Sequence, residues 1–154
     1  MYNYIVVGQG IAGTMLSWSL MQQGQRVLVI DRLNLSSATN VSAGITNPIT
    51  GRRFVKTWLI DDIAPLIHTT YTQFEGLFND KFFYPVSILK IIESVKAQND
   101  WSARCAMPEY LPYLKNESII HLDADKVKNG HGCFEIGNGT RLDAAKFLAH
   151  YRNY

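Results

Sequence analysis

The sequence has 154 residues, of which 47% are hydrophobic and 18% charged, and this composition is typical of one folded domain with or without part of another. Its net charge of +2 is too small to indicate nucleic acid or an anionic membrane surface as a partner. No apolar run approaches the roughly 20 residues of a transmembrane helix, so a membrane is not expected as a partner either.

The first predicted elements are a strand, a helix and a second strand. Tyr4–Val7 is a short apolar run suited to a parallel strand that is buried on both faces. Every fourth residue from Ala12 to Leu20 is apolar, which is typical of a helix face, and Gly24 is expected to end that helix. Val27–Ile30 has the pattern of a second buried strand.

Residues 32–56 have the composition of a loop, and further elements follow. They are predicted as a helix from about Asp62 to Phe78, a strand at Phe83–Ile92, a helix at Ser94–Cys105, a hairpin over Phe134–Leu142 and a helix at Ala144–Tyr154. Asp62 and Asp143 are the expected N-caps of their helices. A doubly wound sheet needs at least three parallel strands, and two convincing ones precede residue 32. We therefore expect this chain to be the front part of a longer protein.

A glycine-rich turn joins the first strand to the first helix. In Gly8-Gln-Gly-Ile-Ala-Gly13, Gly8 permits the tight turn, Gly10 lets a pyrophosphate approach the backbone, and Gly13 lets the helix pack close to the strand. The start of the helix offers N–H groups and partial positive charge to phosphate. Asp31, at the end of the second strand, is placed to bind ribose hydroxyls. This context predicts a site for a dinucleotide such as FAD or NAD, although a glycine-rich turn that binds nothing is the alternative.

The chain resembles the D-amino-acid oxidase and glycine oxidase family of FAD-dependent oxidoreductases. Besides the glycine motif, the loop 38–45 (ATNVSAGI) resembles the family's "AS…AG" segment. Gly139–Asp143 resembles the segment that leads back into the FAD domain. Tyr84–Lys90 is similar to a substrate-domain strand, except that Ser87 stands near the usual glycine. The resemblance covers the whole chain and about the first two-fifths of a typical member.

The resemblance implies a role for eleven residues. Those expected at the pyrophosphate are Gly8, Gly10, Ile11, Ala12 and Gly13. Those expected at the adenosine are Asp31, at the ribose, and Arg32, at the adenine edge. Those expected at the flavin are Thr39, Ala43, Gly44 and Ile45. No residue receives a catalytic role.

The resulting fold prediction is an α/β protein with a Rossmann-like FAD- or NAD(P)-binding domain interrupted by part of an α+β substrate domain. We assign residues 1–56 to the cofactor domain, 57–141 to the substrate domain and 142–154 to a helix that returns to the cofactor domain.

The predicted function is that of an FAD-dependent oxidoreductase acting on the C–N bond of a small amine or amino acid. An NAD(P)-dependent dehydrogenase is the first alternative, because Asp31 would serve NAD equally well. A non-catalytic nucleotide-binding or interaction module is the second. We expect the full-length protein to be an enzyme and residues 1–154 alone to be inactive and to self-associate through exposed apolar surface.

Other polar residues carry weaker signals. Arg52, Arg53 and Lys56 form a basic cluster, interpreted as a solvated loop, with an anion-steering site for a carboxylate as the alternative. The histidines, His121 among them, lack metal-binding spacing, so no metal site is predicted. The two cysteines have no CxxC spacing and are expected to be reduced, and Lys and Arg are absent before residue 26. These features indicate a cytoplasmic protein without a signal peptide.

Overall fold

The computed structural model describes residues 1–118 and 131–154, and His121 lies outside the described residues. The described elements, in chain order, are β1 (Tyr4–Val7), α1 (Ile11–Gln22), β2 (Val27–Ile30), β3 (Ile45–Thr46), β4 (Ile49–Thr50), β5 (Val55–Lys56), α2 (Ile60–Phe78), β6 (Phe83–Ile91), α3 (Val95–Cys105), β7 (Leu114–Ser118), β8 (Cys133–Leu142) and α4 (Ala144–Arg152). A short 3₁₀ turn, Pro108–Tyr110, lies between α3 and β7. The mixture of helices and strands confirms the predicted α/β class. None of the described helices is both long and apolar enough to cross a membrane.

The chain divides into two compact units. Unit 1 consists of Met1–Gly44, Glu75–Phe82 and Leu142–Tyr154, and unit 2 of Ile45–Phe74 and Phe83–Arg141. The domain ranges 1–56, 57–141 and 142–154 stay a prediction.

Unit 1 contains the predicted strand–helix–strand unit. β1 and β2 are parallel, with Tyr4 opposite Val27, and Gly24 ends the helix between them in the left-handed region at φ +73°. The prediction that β1 is buried on both faces is wrong for the described chain. Val6 is buried, but Ile5 is 62% and Val7 81% exposed, because no other described strand pairs with this two-stranded sheet.

The buried face of α1 differs from the apolar face that the spacing of Ala12 to Leu20 predicted. Leu16 is 53% exposed, whereas Ser17 and Trp18 are buried. The reason is the contact with α4: the hydroxyl groups of Ser17 and Tyr151 share a buried 2.9 Å hydrogen bond. A polar contact with a distant helix thus decides which side of α1 faces inward.

The N-terminus of α4 is capped as predicted, and its apolar side chains are buried in unit 1. Asp143 caps it by accepting a 3.1 Å hydrogen bond from the backbone N–H of Lys146. Phe147 and Leu148 are fully buried, and the ring of Phe147 lies 5.4 Å from that of Phe82. This aromatic contact anchors α4 in the core of unit 1.

A charged cluster also holds α4 in unit 1. We call it the Asp80 cluster: Lys146 Nζ and His150 Nε2 each lie 2.7 Å from a carboxylate oxygen of Asp80. The His150 ring stacks on Phe78 at 5.5 Å. The hydrogen bonds from Lys146, His150 and the Lys81 backbone lower the pKa of Asp80 to about 2. The carboxylate is therefore stabilised in its charged form.

Unit 2 is built on an antiparallel sheet in which β8 lies between β3 and β6 and also pairs with β7. The predicted hairpin over Phe134–Leu142 is wrong, because β8 is one ten-residue strand. Its first half pairs with β7 and its last residues with β3, so its halves do not pair with each other. Asn138, at φ +56°, lies within the strand, and its side chain donates to the carbonyl of Pro112.

Two other predictions need correction. Residues 32–56 are not loop throughout, because β3, β4 and β5 lie there. Asp62 is not the N-cap of α2: the helix begins at Ile60, which is 4% exposed and belongs to the core of this unit. Burial of Ile60 thus extends the helix beyond the capping signal. The same core contains Phe54 and Trp101, whose rings lie edge to face at 5.3 Å.

Candidate cofactor-binding site

The glycine turn of unit 1 has the geometry that its sequence predicts. Gly8 adopts φ +95°, in the left-handed region that favours glycine, and its N–H donates a 2.8 Å hydrogen bond to the carbonyl of Ile30. A Cβ on Gly13 would lie 1.9 Å from the carbonyl oxygen of Gly8. Only glycine therefore fits at position 13 without moving the helix away from β1.

The start of α1 presents backbone donors. Gly10 is the N-cap residue, and its carbonyl accepts the first helical hydrogen bond, from Thr14. Among the described residues, the N–H groups of Gly10, Ala12 and Gly13 have no hydrogen-bond partner. The N–H of Ile11 is already used, since it donates to Thr39 Oγ1 at 3.2 Å. Three unpaired N–H groups at a helix N-terminus form an anion-binding arrangement.

Thr39 lies at this helix start. A Cβ on Gly10 would come within 3.1 Å of Thr39 Oγ1, so the threonine leaves little room at position 10. The structure thus brings Thr39 together with the glycine turn, although the resemblance had placed it on the flavin side.

Asp31 is fixed beside the turn. Its Oδ1 accepts a 3.2 Å hydrogen bond from the N–H of Gln9, and its Oδ2 accepts one of 3.0 Å from Leu33. These backbone hydrogen bonds, Gln9 first, and the charge of Arg152 lower the pKa of the Asp31 carboxyl. A charged carboxylate in a fixed orientation is a suitable acceptor for hydroxyl groups.

Arg152 is a neighbour of the turn that sequence reasoning missed. One of its terminal nitrogens, Nη2, lies 3.4 Å from the Gln9 carbonyl oxygen and 3.6 Å from Asp31 Oδ2. Its Nε is buried without a hydrogen-bond partner among the described residues. No sequence signal could have found Arg152, because it lies 143 positions after Gln9.

The remaining predicted residues are Arg32, Ala43, Gly44 and Ile45. Arg32 is exposed and its side chain forms no hydrogen bond with the described residues. Ala43 is exposed, and Gly44 crosses the end of β8, where its carbonyl accepts the N–H of Leu142 at 2.9 Å. Ile45 belongs to β3 of unit 2 and is 54% exposed.

Comparison with known sequences finds a partial match to an oxidoreductase. No protein-family model matches the sequence. A segment of 58 residues, 38% of this chain, is 41% identical to the uncharacterized oxidoreductase YurR of Bacillus subtilis (strain 168), of which it covers 16%.

Two solved structures match almost the whole chain. Iminodiacetate oxidase (IdaA) from Chelativorans sp. BNC1 matches 98% of it with a TM-score of 0.67 and 18% identity, and glycine oxidase from Bacillus cereus ATCC 14579 matches 99% with a TM-score of 0.68 and 13% identity. The chain spans 44% and 43% of these two structures, less than half of each. The predicted resemblance to amino-acid oxidases is therefore confirmed at the level of the fold.

Proposed function

We propose that this chain is the FAD-binding part of an FAD-dependent oxidoreductase that oxidises the C–N bond of a small amine or amino acid. The observation that carries the proposal is the group of three unpaired N–H donors at the start of α1, beside the fixed carboxylate of Asp31. The fold shared with oxidases of iminodiacetate and glycine supports the choice of substrate class, because both compounds are amino carboxylates. The fold proposed with it is a Rossmann-like cofactor domain interrupted by part of a substrate domain.

The residues present fit the pyrophosphate and ribose of FAD. The N–H groups of Gly10, Ala12 and Gly13 would bind the pyrophosphate, and Asp31 would accept hydrogen bonds from the adenosine ribose. The absence of a side chain at Gly10 leaves the backbone accessible. Ile11 is assigned to this site through its position in the turn, because its own N–H is bonded to Thr39.

The chain contributes binding and orientation to the proposed reaction. FAD, when bound, supplies the acceptor for the two electrons released by C–N oxidation. Gly8 in the turn, Arg32 at the adenine edge, and Thr39, Ala43, Gly44 and Ile45 at the flavin complete the proposed set of cofactor-binding residues. We assign none of these residues to proton transfer, and we propose that residues 1–154 alone do not turn over an amine.

A dehydrogenase that uses NAD is the second candidate, because the carboxylate of Asp31 would bind the ribose of NAD equally well. Asp31→Ala is then expected to weaken the binding of both FAD and NAD by at most about 3 kcal/mol. This is the upper end of the range of about 1.5–3 kcal/mol for a hydrogen bond to a charged group. Comparative titration with FAD, NAD and NADP decides between the candidates. Tighter binding of NADP than of the other two would contradict the role of Asp31.

The proposal is tested by titrating the purified chain with FAD and following flavin fluorescence. Gly10→Val should abolish binding, because the branched side chain occupies the approach of the pyrophosphate and presses on Thr39. Gly76→Ala is the matched control, since a Cβ at that position in α2 meets no atom within 4 Å. Equal FAD affinity in a folded Gly10→Val variant and in the control would overturn the proposal.

A further inference from the structure

Unit 2 contains a cavity whose charge the proposed function does not explain. It has a volume of about 320 Å³ and lies between the turn that joins β4 to β5, the end of β6 and the start of α3. Four of its lining residues are cations: Arg52, Arg53, Lys90 and Lys96. Within the described residues, none of the four forms an ion pair. We call this feature the basic cavity.

The turn that carries the two arginines is anchored by the side chain of Phe54 and by a backbone hydrogen bond. Phe54 is 2% exposed and packs against Trp101, although it adopts the left-handed φ of +50°. The Nε of Arg104 donates a 3.2 Å hydrogen bond to the backbone carbonyl of Arg53. Arg52 and Arg53 are therefore presented to the cavity from a fixed backbone, which lowers the entropy lost when they bind a ligand.

The charge balance of the basic cavity favours an anion. Its two acidic lining residues, Glu93 and Asp100, carry half as much charge as the four cations. Neither lies within ion-pairing distance of any of the four. Lys56, which the sequence grouped with the two arginines, does not line the cavity, because it pairs with Asp61. Clustered unpaired cations repel one another, and a bound anion would relieve that repulsion.

We propose that the basic cavity binds a small organic molecule with a multiply charged oxyanion group, such as a phosphate monoester or a polycarboxylate. The two guanidinium groups offer paired N–H donors that match carboxylate and phosphate oxygens. The volume lies at the lower end of the range for small-molecule sites, about 300–1,000 Å³. The site belongs to unit 2 alone and does not depend on the proposed binding of FAD.

The test is calorimetric titration of the purified chain with inorganic phosphate and, separately, with citrate, at about 0.1 M sodium chloride to screen long-range attraction. We expect at least one probe to bind with a dissociation constant of about 1 mM or tighter. Stronger binding of phosphate indicates a phosphorylated ligand, and stronger binding of citrate a polycarboxylate.

Variants locate that binding. The double variant Arg52→Gln, Arg53→Gln should weaken the binding of the tighter-binding probe at least about tenfold, which corresponds to a loss of about 1.4 kcal/mol in binding free energy. Arg141→Gln is the matched control: Arg141 is an exposed cation on β8 of the same unit, it does not line the cavity, and its loss should leave affinity unchanged. Absence of binding by both probes would overturn the proposal, as would equal weakening by the double variant and the control or loss of binding in Gly10→Val.

Discussion

Replacing Gly13 by alanine should destabilise unit 1 and impair the proposed cofactor site. The new methyl carbon would lie 1.9 Å from the carbonyl oxygen of Gly8 and 3.1 Å from its carbonyl carbon. An ordinary carbon–oxygen contact is about 3.3 Å, so α1 must move away from the end of β1 by more than about 1 Å. The clash involves backbone, so side-chain rotation cannot relieve it.

The magnitude follows from two opposing effects. Overpacking costs about 1–3 kcal/mol, with backbone clashes at the upper end, whereas alanine in a helix is favoured over glycine by up to about 1 kcal/mol. The expected net loss is about 2 kcal/mol, or about a 30-fold smaller ratio of folded to unfolded chain. With a denaturant slope of about 2 kcal/mol per molar, the urea midpoint should fall by about 1 M.

The assay is urea unfolding followed by circular dichroism, with FAD titration of the folded variant. Gly76→Ala serves as the control, because its added methyl meets open space and should leave the midpoint unchanged or higher. The reasoning is refuted if Gly13→Ala unfolds at the same urea concentration as Gly76→Ala and binds FAD as the unaltered chain does.

Three further predictions concern unit 1. Arg152→Ala removes the guanidinium beside Gln9 and Asp31 and should weaken the binding of FAD about tenfold, as expected for a charged hydrogen bond worth about 1.5 kcal/mol. Unchanged affinity for FAD in a fluorescence titration would show that Arg152 does not position the site. Phe147→Ala empties a fully buried site and should lower the free energy of unfolding by about 3–5 kcal/mol, and a loss below about 1 kcal/mol would contradict the burial of this ring. The pKa of Asp80 is lowered to about 2, so its cluster stabilises the fold above the ordinary carboxyl pKa and loses that effect as pH falls from about 5 towards about 2. Urea midpoints of the unaltered chain should therefore fall more steeply over this range than those of Asp80→Asn, and parallel curves would rule out the linkage.

The elements with local signals were predictable from the sequence. β1 and β2 have the predicted limits, because each is a short apolar run bounded by a glycine turn or a charged residue. Asp143 caps α4 as predicted, since capping depends on hydrogen bonds within one turn, and α3 begins one residue after its predicted start because Ser94 is its N-cap.

Elements decided by distant contacts were not predictable. The inward face of α1 is set by Tyr151, which lies 134 positions after Ser17. The Gly-Asn-Gly sequence favoured a hairpin, yet each half of β8 pairs with a different strand elsewhere in the chain. Local turn chemistry was overridden by sheet pairing.

The candidate site likewise contains some residues that were predictable from the sequence and others that depend on distant contacts. Gly8, Gly13 and Asp31 were identified from spacing, because the turn, the helix start and the end of β2 are consecutive in the chain. Arg152 was missed because the fold alone brings α4 to the turn. The bond from Ile11 to Thr39 was also beyond prediction, since residues 32–56 carry no periodic pattern to place Thr39.

The most direct measurement of the central claim is a two-dimensional amide NMR titration of the ¹⁵N-labelled chain with FAD. We predict that the N–H signals of Gly10, Ala12 and Gly13 shift as FAD is added, because these donors would bind the pyrophosphate. The signal of Gly76, in α2, should stay in place. Binding of FAD that leaves the three turn signals unmoved, or an absence of binding at saturating FAD, would contradict the account.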